Sequence, residues 1–158
     1  MKKHLTKLGL MIVVASFFYF FVLNIFEVPI LLERFIFTGA GVVLQNWIKS
    51  FQFWGGIGIA AAFLASILWY LLAQWVFPVN NPSSDANRRG LWFLLGLIPL
   101  LAVVPAFVFT QQVQAGTWLA YLLYVVNPLL CYYVATVLFS PSAHKYAPLG
   151  ARVLRRLW

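Results

Sequence analysis

Residues 53–77 read FWGGIGIAAAFLASILWYLLAQWVF, and this stretch decides the fold. No Asp, Glu, Lys or Arg occurs between Lys49 and Asp85. At 1.5 Å per residue, roughly 20 apolar residues carry an α-helix across the hydrocarbon core of a bilayer. The stretch is long enough, and nothing charged interrupts it, so it predicts a transmembrane helix.

Three further runs flank it. The first extends from Leu8 to Leu31, preceded by Lys2, Lys3 and Lys7 and followed by Glu33 and Arg34. The third covers Leu91 to Thr110 and the fourth Thr117 to Phe139. Pro78, Asn80, Asn81, Pro82, Ser83 and Ser84 separate the second from the third, because Pro and Asn favour turns over helix. Gln111, Gln112, Gln114 and Gly116 form the turn before the fourth, and Ser140-Pro141 ends it. The expected fold is an all-α membrane protein. Its four transmembrane helices (8–31, 53–77, 91–110 and 117–139) make an antiparallel bundle, a single domain over 1–158 with a basic tail over 140–158.

Composition agrees. The chain is 63% hydrophobic and 9% charged, whereas a soluble domain is about half apolar and a quarter charged. Four spans and their loops use nearly all of its 158 residues, which leaves no room for a separate soluble domain. The net charge of +8 could suggest nucleic acid. The basic residues instead border apolar runs, the pattern of a membrane surface, so lipids are the expected partner and nucleic acid is not. Cys131 is the one cysteine, which excludes an internal disulfide, and it reads as a small buried hydrophobe. The N-terminus has a basic start and an apolar run, as a signal peptide does. That run is longer than a typical signal core and lacks a small-residue cleavage site, so it reads as a retained first helix. Neither end carries a lipidation motif.

Lys and Arg set the orientation. With the N-terminus inside, nine basic residues fall in the inner segments: Lys2, Lys3, Lys7, Arg88, Arg89, Lys145, Arg152, Arg155 and Arg156. Two, Arg34 and Lys49, fall outside. Both termini are therefore expected in the cytoplasm, in a cell inner membrane. Trp47, Trp54, Trp69, Tyr70, Trp75, Trp92 and Trp118 lie near span ends, where amphipathic rings prefer the interface.

The segment 35–50, FIFTGAGVVLQNWIKS, is too apolar for an ordinary loop. Leu44, Trp47, Ile48 and Phe51 recur at helical spacing, with Gln45, Asn46, Lys49 and Ser50 opposite. The favoured reading is a short interfacial helix around 40–50; the alternative extends the second span into the headgroups.

A few polar side chains stand inside the spans. Glu27 is the one intramembrane acid, and such residues are functional candidates. It lies about 8 residues past the middle of its span, roughly 12 Å from the midplane at 1.5 Å per residue. It therefore reads either as an interfacial acid near Arg34 or Lys49, or as a helix–helix or ion contact with Asn24. Asn24 and Asn127 need partners if buried, and interhelical hydrogen bonds are the usual answer. Pro128 after Asn127 is expected to kink the fourth span, and Pro99 and Pro105 to bend the third. A gating hinge is the functional alternative at Asn127.

Gly55, Gly58, Ala62, Ala65 and Ser66 form a small-residue face on the second span, a seam for close helix packing within the chain or with a partner. The tail offers Lys145, Arg152, Arg155, Arg156 and Trp158 for anionic lipid or for a cytosolic partner.

No catalytic motif, haem-ligand pair or Cys/His metal cluster occurs, so neither an enzyme nor a cofactor is expected. The leading function is a non-catalytic subunit or accessory factor of a larger membrane assembly for secretion, conjugation or envelope work. Its partners would be other membrane subunits or further copies of itself. The alternatives are an immunity protein against a pore-forming toxin, and a small oligomeric transporter or channel. A pore would have to draw its polar stripe from Asn24, Glu27, Gln74, Asn127 and Thr136.

Overall fold

The computed structural model describes residues 2–32, 42–76, 88–109, 118–141 and 147–154. Helix α1 runs as an α-helix over Lys2–Ser16 and continues without a break as a π-helix over Phe17–Leu32. Helix α2, Val42–Leu71, ends in a shorter π-helical segment, Leu72–Val76. Helices α3, Arg89–Phe109, and α4, Trp118–Phe139, follow, and a short α5 covers Ala151–Leu154. Four of these helices are long and apolar enough to cross a membrane. They pack as a bundle, the architecture that the apolar runs predict.

Cross-helix contacts give the directions. Trp54 near the start of α2 stacks on Phe109 at the end of α3, with ring centroids 5.7 Å apart. Phe107 meets Tyr121 at 5.2 Å and Trp92 meets Tyr132 at 5.7 Å, so α3 and α4 also run antiparallel. Phe51 against Tyr124 and Trp69 against Ser140 make α2 and α4 parallel. Helix α2 is the centre of the bundle. It packs chiefly against α3 and α4, while α1 lies to one side and touches α2 and α4.

The reason is side-chain size. A Cβ on Gly58 would stand 2.6 Å from Val103 Cγ1 and 2.7 Å from Pro128 Cγ, so α3 and α4 both close onto this point of α2. A Cβ on Gly55 would meet Leu23 of α1 at 2.9 Å. Ala62 and Ala65 are buried on the same helix. The small-residue seam is thus used inside the chain, where van der Waals packing replaces the hydrophobic effect as the force between helices in lipid. The outer surface carries Phe20, Phe53, Leu64, Leu94, Leu101 and Val108, all exposed. In a bilayer these contact acyl chains.

The segment around 40–50 departs from the favoured reading. Its described part is helical but continues unbroken into the second span, so α2 is one long helix and no separate interfacial helix is present there. Residues 40 and 41 lie outside the described residues. Gln45, Asn46 and Lys49 are exposed as the spacing predicts. The opposite face, with Trp47 and Phe51, is buried in the bundle, because Phe51 packs on Tyr124 at 4.9 Å. A protein partner was available for that face, and it covers the rings that would otherwise sit among headgroups.

Pro99 and Pro105 lie inside α3 and Pro128 inside α4, and each helix is continuous through them. Beyond α4, the Ala147–Pro148 peptide bond is cis. Gly150 takes a positive φ of 79°, which a Cβ would strain, and a Cβ there would also lie 2.8 Å from the Tyr133 hydroxyl. That hydroxyl donates to the Leu149 carbonyl at 3.1 Å, which ties the post-span segment back to α4.

Candidate functional site

The polar side chains of the spans form two groups, one towards each end of the bundle. The first joins α1 to both of its neighbours. Asn127 Nδ2 on α4 donates to Glu27 Oε2 at 2.7 Å. Glu27 is 2% exposed and Asn127 is 4% exposed, so the contact is sealed from solvent. One turn earlier, Gln52 Nε2 on α2 donates to Asn24 Oδ1 at 2.8 Å. The Asn24 amide in turn donates to the Tyr19 carbonyl, five residues back, at 2.6 Å.

The π-helical winding accounts for this division. Residues three apart on an α-helix share a face. In the wider stretch Phe17–Leu32, Asn24 instead engages α2 while Glu27 engages α4. π-Helical turns are rare and recur at functional sites.

Two further features lie on the turn of α4 that ends at Asn127. Tyr124, one turn before Asn127 on α4, is 1% exposed, and its hydroxyl has no hydrogen-bond partner. Pro128 has no N–H, so the Tyr124 carbonyl lacks its usual helical donor. Oxygen atoms therefore concentrate at this level of α4.

The second group lies at the opposite end. Trp92 Nε1 of α3 donates to Thr136 Oγ1 at 3.0 Å, and Trp69 Nε1 of α2 donates to Ser140 Oγ at 2.6 Å. Both hydroxyls pass their own protons to α4 carbonyls, Thr136 to Tyr132 at 2.8 Å and Ser140 to Thr136. A hydroxyl both donates and accepts, so each one satisfies an indole and stays satisfied itself. The Tyr132 hydroxyl donates to the Trp92 carbonyl at 2.7 Å. Near the start of α1, His4 Nδ1 and the Tyr70 hydroxyl lie 2.7 Å apart. The Lys7 ammonium stands 5.8 Å from the Tyr70 ring centroid, a cation–π contact.

Of the residues singled out from the sequence, Asn24, Glu27 and Asn127 all enter cross-helix bonds, and the bond of Glu27 is to Asn127 rather than to Asn24. Glu27 makes the helix–helix contact that was one of its two readings, buried between α1 and α4, while Lys49 is exposed and Arg34 lies outside the described residues. Ser66 bonds within its own helix, to the Ala62 carbonyl at 2.7 Å. Arg152 falls in α5, while Lys145, Arg155, Arg156 and Trp158 lie outside the described residues. Sequence reasoning missed Gln52, and the position of Trp69 and Tyr70 towards the end of the second span gave no sign that both are fully buried among the helices. The signal for Trp69 and Trp92 was their N–H, which seeks a partner when the ring is buried.

Concavities open between the helices. A groove of 510 Å³ runs between α1 and α2 beside Tyr19, Gln52 and Gly56, and a cleft of 340 Å³ lies between α3 and α4 beside Trp92, Gly96 and Tyr132. Both are walled mainly by apolar side chains. Among the described residues no three His, Cys, Asp or Glu side chains gather where a metal ion could bind.

Comparison with protein-family models, with curated proteins and with solved structures gives no match. The chain is a four-span membrane protein, and its site is read from its own geometry.

Proposed function

We propose that the chain is a non-catalytic inner-membrane protein that serves as a subunit or accessory factor of a larger membrane assembly, with both termini in the cytoplasm. One observation carries the reading. Polar side chains of the spans are engaged with one another in pairs: Glu27 with Asn127, Asn24 with Gln52, Trp92 with Thr136 and Trp69 with Ser140. Such bonds fix helices in place. They leave an outer surface of large apolar side chains, on which other helices can pack in lipid.

Helix α1 offers the broadest such surface. Of its most apolar window 17% is buried in the bundle, against 44% for α2. The partner expected there is a transmembrane helix of another subunit. The basic residues at the N-terminus and in the tail, Lys2, Lys3, Lys7, Lys145, Arg152, Arg155 and Arg156, suit anionic lipid on the cytoplasmic side.

Affinity purification in mild detergent, followed by mass spectrometry, tests this proposal. A stoichiometric membrane partner is expected. Recovery as a free monomer would overturn the reading, and a pure homo-oligomer would favour a small transporter or channel.

A further inference from the structure

The carboxyl group of Glu27 lies where a lone negative charge is poorly tolerated. It is buried between α1 and α4 within the apolar bundle. Its hydrogen bond comes from a neutral amide, Asn127 Nδ2. Transferring an unpaired carboxylate out of water is costly, and one neutral donor does not restore what the water supplied. A positive charge at the site removes that cost.

The chain's described residues do not provide one. The titratable or charged groups on the elements packed against this part of α1 are Lys49 and Tyr70 on α2 and Tyr121, Tyr124, Cys131, Tyr132 and Tyr133 on α4. Lys49 is exposed, and the tyrosines and Cys131 carry hydroxyls and a thiol rather than cations. Lys7 of α1 itself is at the opposite end, over Tyr70.

Asn127 and the turn of α4 before it offer oxygen acceptors. Asn127 donates through its nitrogen, which leaves its Oδ1 as an acceptor. The Tyr124 carbonyl has lost its helical donor to Pro128. The Tyr124 hydroxyl is buried and unpartnered. Carboxylate, amide and carbonyl oxygens are the hard ligands that a small alkali cation prefers, and a carboxylate equally takes a proton.

We propose that Glu27, together with Asn127 and the Tyr124 turn of α4, forms a site inside the bundle for one exchangeable monovalent cation, a proton or Na⁺. The π-helical stretch of α1 presents the carboxylate to α4, and Asn127 holds it there. Uptake of the cation makes the site neutral.

Isotope-edited infrared spectroscopy of the full-length protein in liposomes tests this directly. The chain has two glutamates, Glu27 and Glu33. In a Glu33→Gln background with ¹³C-labelled glutamate, every labelled carboxyl signal belongs to Glu27, and the site itself is unaltered. Glu27→Gln confirms the assignment by loss of the band. At neutral pH in a choline buffer free of Na⁺, we expect the C=O stretch of a neutral carboxyl. If Na⁺ replaces that band by a carboxylate pair, the cation is Na⁺ in competition with protons. If the band ignores Na⁺, the cation is the proton. A carboxylate band that shifts when Na⁺ is added also supports the site. A carboxylate band at neutral pH that is indifferent to Na⁺ would overturn the proposal, because Glu27 would then be charged without a bound cation.

Discussion

Trp69 and Trp75 show how little residue type says without its partners. Both sit near the end of α2, yet Trp69 is buried with its indole on Ser140, while Trp75 is exposed. Trp69→Phe removes a buried donor and part of a ring. We expect a loss of about 1–3 kcal/mol in stability, from the missing hydrogen bond and the space left behind. Trp75→Phe should leave stability within about 0.5 kcal/mol, as for surface changes generally. Denaturant titration of the two variants in detergent compares them, and equal losses would contradict the placement of Trp69. Cys131 allows a second check at this scale. Its side chain is fully buried among the helices. A water-soluble maleimide should label it only after the bundle is unfolded in strong detergent, and rapid labelling of the native protein would show that α4 is packed differently.

Among the elements, α2 organises the bundle because its glycines admit close neighbours. Gly58→Ala places a methyl group within 2.7 Å of both Val103 and Pro128, so something must shift. Overpacking of this kind costs about 1–3 kcal/mol. Gly9→Ala, on the open side of α1, meets nothing within 4 Å and should be neutral. Thermal unfolding of the two variants, followed by circular dichroism, separates them. The spans themselves were legible in the sequence, since an uncharged apolar run such as 53–77 has one stable form in lipid. The long extent of α2 was not, because the spacing of Trp47 and Phe51 states that they share a face and not what covers it. The burial of Glu27 was not legible either, for a related reason. Counting residues along one helix gives height, while burial depends on which neighbour stands beside it, and here that neighbour is Asn127. The π-helical winding of Phe17–Leu32 left no periodic signature in a stretch that is apolar on every side. Asn24 and Asn127 were identifiable because amides in apolar helices need partners, but Gln52 lay just outside the second span as read from hydropathy and escaped notice.

At the scale of the whole molecule, the four helices alternate in direction, and α1 begins beside the end of α2 through His4 and Tyr70. The ends of α2 and α4 meet through Trp69 and Ser140. The described ends of the chain therefore lie on one side of the bundle, and the proposed reading, from the distribution of Lys and Arg, takes that side as cytoplasmic. Reporter fusions at the two termini should both read as cytoplasmic, and a reporter near Lys49 as external. Termini on opposite sides would require an odd number of spans and would refute the fold. The central claim is that polar side chains within the spans act on one another to hold the bundle together, and the bond between Glu27 and Asn127 is its clearest instance. A double-mutant cycle with Glu27→Ala and Asn127→Ala, measured by reversible unfolding in mixed detergent micelles, tests it most directly. Interhelical hydrogen bonds in membranes contribute roughly 0.6 kcal/mol on average and up to about 1.7. We expect a coupling in that range, with the double variant less destabilised than the sum of the single ones. Single losses that add to within about 0.3 kcal/mol, the behaviour of independent sites, would mean that the two residues do not meet and would contradict the account.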